Sequence, residues 1–227
     1  MNFLAIGDHH NDIENNLSYM DKVQEVGFDA ILYMGDFTDV KQQRGFDQVD
    51  IARIIIEGLK VFKKPIFAVP GNNDNWDVVR LLEKEKISVH GKGKVWGDFG
   101  VFGFGGAKTP FNTTIEPSDS DLKQGLEKAF SNVKDCKYKI QITHNPPRQT
   151  KVDMIRSGVH VGSDVVRSFT EEKNPELVVC GHIHESRGVD MLKKIFLINP
   201  GRFPEGYFGL VNFEDGVVTG RVLNLIY

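Results

Sequence analysis

Cysteine is almost absent from this chain: Cys136 and Cys180 are the only two in 227 residues, and no CxxC occurs. A disulfide framework or thiolate metal cage is therefore excluded as the basis of the fold, and two free thiols suit a reducing compartment. No run approaches the roughly 18 apolar residues of a membrane helix. A basic block is missing as well, since 28 Lys and Arg face 31 Asp and Glu for a formal net charge of −3. That balance leaves no electrostatic footprint for nucleic acid. The lysines at 123, 128, 134, 137 and 139 read as a solvated helix face. Met1 runs into "NFLAIGD" without a basic leader or cleavage site, so a cytoplasmic protein with no membrane partner is expected.

What is present is an ordinary globular composition, 40% hydrophobic and 26% charged, long enough to bury a core without staples. The first half alternates apolar strand-like runs with amphipathic helices. "NFLAIG" (2–7) precedes a helix over 11–27, whose Ile13, Leu17, Met20, Val23 and Val26 recur at helical spacing, with Gly27 as its expected cap. "DAILYMG" (29–35) precedes a helix over 46–62, and "PIFAVP" (65–70) one near 75–85. This βαβαβα order predicts a mostly parallel sheet. Short strands follow over 87–106, then a loop (107–117), a charged helix (118–135), a strand (137–144), a helix (162–173) and another strand within 175–184. The tail to residue 227 reads as strand and hairpin, turning at Asp215-Gly216. One α/β domain spanning 1–227, with two packed sheets and outer helices, is the expectation.

The chemistry lies where these strands end. The loops read "GDHH" (7–10), "GDFTD" (35–39), "GNND" (71–74), "THNPP" (143–147) and "GHIH" (181–184). In an open α/β sheet, ligands bind outside the carboxyl ends of the strands, so five such loops can face one crevice. They bring at least two carboxylates, four imidazoles and an amide oxygen. That mixed N/O set suits borderline and hard divalent ions, and it is too large for one. Two ions sharing a carboxylate and a water would use it fully. "GFGG" (103–106) lacks the spacing of a dinucleotide loop and reads as close packing. No G-x-S-x-G occurs, and Cys180 reads as a small buried residue.

The blocks GD-x-H, GD-x-x-D, GN-x-D, H-x-P and GH-x-H, in that order over residues 7–184, resemble the calcineurin-like metallophosphoesterase superfamily. The "NPG" at 199–201 is similar to its small bacterial and archaeal members. The resemblance implies a four-layer α/β/β/α sandwich of two mixed β-sheets packed face to face with helices outside. It also implies Asp8, His10 and His184 on one ion, Asp36 bridging, and Asn72, His144 and His182 on the second. Manganese is the first expectation for the pair, with zinc, iron, nickel, cobalt or magnesium as alternatives. In-line attack by a metal-bridging hydroxide on a small phosphate ester is the implied reaction. Asp39, Asp74 and Asn73 complete the expected catalytic set, the two carboxylates by orienting ligands or the loop. His160, in "VHVGS" (159–163), and His9 are candidate substrate contacts, and a homo-oligomer is compatible.

One letter departs from the commoner pattern. Many relatives carry His after the Asn ligand, where this chain has Asn73. An amide donates a hydrogen bond to a phosphoryl oxygen but supplies no proton, and general-acid help is worth about 10²–10⁴ in rate. Phosphodiesters, or esters with good leaving groups, are therefore expected over alkyl monoesters. The alternative is a catalytically weak scaffold or binding protein on the same fold. A nuclease would want a basic groove that this composition does not offer.

Overall fold

The computed structural model describes residues 1–41 and 45–226; Tyr227, read as the end of the last strand, lies outside them. The first half alternates as its periodicity predicts: β1 (Asn2–Ile6), α1 (Ile13–Gln24), β2 (Ala30–Tyr33), α2 (Gln48–Lys60), β3 (Ile66–Ala68) and α3 (Trp76–Lys84). Each helix begins at a side chain that caps it. Asp12, Asp47 and Asn75 accept the backbone N–H of Asn15, Asp50 and Val78, pairing donors that the first turn leaves open. The stop expected at Gly27 lies further out. α1 closes at Glu25 in right-handed conformation, and Gly27 (φ 72°) turns the chain two residues later.

The second half supplies β4 (Lys92–Trp96), β5 (Phe99–Phe104), α4 (Asp119–Ser131), β6 (Tyr138–Thr143), α5 (Asp164–Lys173), β7 (Leu177–Val179), β8 (Gly188–Leu192), β9 (Ile195–Asn199), β10 (Tyr207–Glu214) and β11 (Val217–Asn224). Asp215 (φ 48°) and Gly216 (φ 83°) make the β10–β11 turn. Both central residues are left-handed there, which matches the twist of the strands they join.

Two mixed sheets result, ordered β11-β10-β1-β2-β3 and β4-β5-β6-β7-β9-β8. Side chains alternate across each strand, and the apolar pattern sorts them into layers. Phe3 and Ala5 of β1 pack with Val101, Ile140, Ile142 and Val179 between the sheets. Leu4 and Ile6 face the other way, onto Val23, Ile51, Ile55 and Leu81 of α1–α3. Phe102 packs on Leu126 and Phe169 of α4 and α5, outside the second sheet. The architecture is a four-layer α/β/β/α sandwich. Cys180 is fully buried with Val178 and Leu197 in a small cluster on that sheet's outer side.

The parallel pairing positions the site. β1, β2 and β3 run in register, with Ile6 beside Tyr33 and Tyr33 beside Ala68; β6 and β7 pair likewise, with Ile142 beside Val179. Three hydrogen bonds tie their carboxyl ends, one within each sheet and one between the sheets. Asp8 N donates to Gly35 O (2.9 Å), Gly181 N to His144 O (3.1 Å), and His144 Nδ1 to Met34 O (2.8 Å). Gly35 has φ 109°, and a Cβ there would lie 2.5 Å from Gly71 N. Only glycine allows these two loops so close.

Candidate metal centre

Asp8, His10, Asp36 and His182 all adopt left-handed backbone conformations (φ 52°, 50°, 51° and 67°). Such conformations are uncommon outside glycine, and they persist where the surrounding structure enforces them. Here they turn the side chains out of the strand direction and into the crevice. Asp8 (fully buried) and Asp36 (1% exposed) stand at its floor.

Two groups of ligand-type atoms lie within 4.8 Å of one another: Asp8, His10 and His184, and Asp8, Asp36 and His144. In the first, His10 Nε2 is 3.1 Å from His184 Nε2, and His184 Nε2 is 3.5 Å from Asp8 Oδ1. In the second, Asp36 Oδ2 is 3.4 Å from His144 Nε2 and 3.5 Å from His10 Nε2, so one carboxylate oxygen faces both groups. Asn72 presents Oδ1 to His144 Nε2 at 2.9 Å, while its Nδ2 donates to Thr113 Oγ1 at 3.2 Å. The amide is thereby oriented with its oxygen inward. His182 belongs to neither group; its ring lies 5.1 Å from that of His144, and its backbone N donates to Asp8 Oδ2 at 3.3 Å.

The imidazoles are aimed by their other nitrogen. His10 Nδ1 donates to Asp39 Oδ1 (2.6 Å) and His144 Nδ1 to Met34 O (2.8 Å), which leaves both Nε2 atoms facing the carboxylates. That arrangement is how ligand histidines are held in metal sites. Asp39 thus acts on His10 alone, from the rim. Asp74 is buried away from the cluster; it accepts from Gly71 N (2.8 Å), Thr38 N (3.0 Å) and Thr38 Oγ1 (2.9 Å), tying the second loop to the third. Burial, then the charge of Asp36, pushes Asp74 up to about 7.

The electrostatics call for positive charge. Burial opposes ionisation of Asp36, but the His144 charge and hydrogen bond outweigh it and hold the carboxyl well below its usual range. Burial likewise works against a charged His144, and Asp36 beside it wins, raising His144 to about 9. His182 goes the other way, down to about 4, through burial and then the charge of His144. Asp8 Oδ1 is buried without a hydrogen-bond donor among the described residues. Neither Asp8 nor Asp36 forms an ion pair with Lys or Arg among them; their charged partners are histidines. Two buried carboxylates need compensation, and their oxygens, ringed by imidazole Nε2 atoms, fit divalent cations of the borderline class.

Asn73 donates twice to Asp36, from its backbone N to Oδ1 (2.9 Å) and from Nδ2 to Oδ2 (2.7 Å). It therefore lies on the floor of the crevice beside the oxygen that faces both groups. The expectation of a substrate contact at His9 needs correction. Its ring is fully buried, donating from Nε2 to Asn16 Oδ1 (2.7 Å) and accepting from the Tyr33 hydroxyl at Nδ1 (2.6 Å). Both nitrogens are used, and burial pushes the group down to about 4, so it stays a neutral core residue. His160 sits on the 146–164 loop, where Asp153 holds it.

Sequence reasoning missed Thr113, which orients Asn72, and Gln48, whose Nε2 donates to Asp39 O (2.6 Å) and Asn73 O (2.8 Å). Neither carries a motif. Gln48 stands one residue after the Asp47 cap, where a polar residue reads as ordinary helix start.

A sequence model of the calcineurin-like phosphoesterases matches residues 1–186. The chain belongs to that family. Over 148 residues it is 34% identical to the uncharacterized protein MJ1162 of Methanocaldococcus jannaschii, a match covering 63% of this chain and 66% of that protein. Among solved structures, TT1561 of Thermus thermophilus shares the fold with a TM-score of 0.75 at 22% identity, covering 98% of both chains. A dimetal phosphatase from Danio rerio shares it with a TM-score of 0.62 at 9% identity, covering 99% of this chain and 98% of that one. As a calcineurin-like phosphoesterase, the chain carries acidic and imidazole groups able to bind metal at the strand ends, and no described helix is long and apolar enough to cross a membrane.

Proposed function

We propose that this chain is a two-metal phosphoesterase that prefers phosphodiesters to alkyl phosphomonoesters. The observation that carries the reading is the pair of buried carboxylates, Asp8 and Asp36, whose charged partners are imidazoles. Asp8, His10 and His184 would hold one ion, Asn72, His144 and His182 the other, and Asp36 Oδ2, which faces His10 and His144 alike, would serve both. Manganese is the first choice, because the donor set is oxygen and imidazole without thiolate. Such a pair supplies an acidified water at neutral pH and neutralises phosphoryl charge. The protein supplies the rest: Asp39 and the Met34 carbonyl fix the imidazoles of His10 and His144, Thr113 fixes the amide, and Asp74 ties together the loops that carry Asp36 and Asn72.

The diester preference rests on Asn73. A monoester dianion brings more negative charge to the floor of the crevice than a diester monoanion does. An amide there offers a hydrogen bond without charge. With Mn²⁺, kcat/KM should be clearly higher for a bis-aryl phosphodiester than for glycerol phosphate. A preference for glycerol phosphate would overturn the diester assignment while leaving the metal centre intact. The Danio rerio neighbour is a dimetal phosphatase, which agrees with the two-ion reading.

A further inference from the structure

The 146–164 loop is built around one buried charge. Asp153 is fully buried and accepts Gln149 N (3.1 Å), Thr150 N (2.8 Å), Thr150 Oγ1 (3.3 Å) and Gly162 N (3.0 Å). These four bonds already close the loop. The carboxylate takes a fifth, from His160 Nδ1 at 2.7 Å. The imidazole side chain is 35% exposed, its Nδ1 is committed inward, and its Nε2 has no hydrogen-bond partner among the described residues.

The loop's own contacts locate this imidazole. Two residues beyond it, Gly162 lies against Pro146: a Cβ on Gly162 would be 2.6 Å from Pro146 O, and Ser163 N donates to the same oxygen at 2.9 Å. Pro146 is two residues past His144. On its other side, His160 bridges Met154, whose carbonyl accepts from Ser186 Oγ, and Arg156 N donates to Glu185 Oε1 at 2.7 Å. Ser186 and Glu185 directly follow His184. His160 is therefore held between the segment that follows His144 and the segment that follows His184.

A buried carboxyl group on one imidazole nitrogen, with the other nitrogen open to a reacting group, is the arrangement that orients a histidine for proton transfer. We propose that His160 is the general acid of this phosphoesterase, delivering the leaving-group proton that Asn73 cannot supply, with Asp153 as its positioning residue. In the step, water forms a bond to phosphorus and loses a proton to solvent. The bond from phosphorus to the ester oxygen breaks, and His160 Nε2–H transfers its proton to that oxygen, releasing an alcohol or phenol. His160 is left neutral and regains a proton from solvent. The proposal rests on the phosphoesterase reading above and deepens it.

The test compares the wild-type protein and His160→Gln, both loaded with Mn²⁺, on two diesters. Bis(4-nitrophenyl) phosphate expels a phenolate that needs no proton, whereas diphenyl phosphate expels one that does. In the variant, kcat for diphenyl phosphate should fall about 10²-fold. For bis(4-nitrophenyl) phosphate it should change by less than about threefold, with the Mn²⁺ content per chain unchanged. Equal losses on the two esters, or no loss on either, would overturn the proposal. Failure of the wild-type protein to hydrolyse either ester would instead sink the phosphoesterase reading, and the proposal with it.

Discussion

Asp36→Asn is expected to lower kcat/KM for an aryl phosphodiester by more than about 10²-fold, beyond the 10–100-fold typical of losing a group that only orients a ligand. Among the described residues, Asp36 Oδ2 is the one carboxylate oxygen within 3.5 Å of both His10 and His144, so the substitution strips charge from both proposed ion positions together. The shape is nearly conserved, and the Asn73 backbone N still has an oxygen to donate to at the position of Oδ1. The substitution takes from His144 its charged partner and from Asn73 Nδ2 its acceptor at Oδ2, and it relieves the repulsion by which the Asp36 charge pushes Asp74 up. The Tm of metal-free Asp36→Asn is therefore the baseline against which the metal effect is read. The rise in Tm that Mn²⁺ gives the wild type through linkage should shrink or vanish in the variant. A variant with full activity and a full metal-induced rise would show that another group bridges the ions.

Asn73→His carries the second large expectation, a gain. Residue 73 is half-buried on the floor of the crevice, and its backbone N, which every residue but proline provides, already anchors Asp36. Replacing the amide leaves that anchor in place and puts an ionisable donor where the Nδ2–Asp36 contact was. A hydrogen bond to a charged group contributes about 1.5–3 kcal/mol, and each 1.4 kcal/mol is about tenfold in rate. The kcat/KM for glycerol phosphate should therefore rise about 10- to 100-fold relative to that for the aryl diester. An unchanged ratio would mean that residue 73 does not set the choice between mono- and diesters, whichever the wild type prefers.

Much of this architecture was legible because its causes are local. The apolar runs at 2–7, 29–35 and 65–70 read as strands of a mostly parallel sheet, and the stripe Ile13, Leu17, Met20, Val23 and Val26 read as one helix face, of which only Leu17 is exposed. The candidate ligands were legible because each follows a strand end directly, so topology delivers them to one place without long-range packing to decide. His9 was not legible for the opposite reason. It lies between two ligand-type residues, and left-handed turns at Asp8 and His10 send its ring inward while theirs face the crevice. A signal did exist in Asn16, a polar residue at Ile13 + 3 on the apolar stripe of α1. The Asn16 Oδ1 and the buried Tyr33 hydroxyl both needed a partner, and His9 pairs with each of them. The Asp153–His160 pair lay beyond sequence reasoning, since it depends on a loop closing on itself over seven residues around one carboxylate.

The central claim is that the five strand-end loops form a site for two divalent ions that hydrolyses phosphate esters. It is tested most directly by titrating Mn²⁺ into metal-stripped protein while following bound metal and bis(4-nitrophenyl) phosphate hydrolysis in the same samples. The account predicts binding that saturates at two ions per chain, with hydrolysis appearing as the sites fill and lost again to a chelator. Saturation at zero or one ion, or hydrolysis indifferent to the metal, would contradict it.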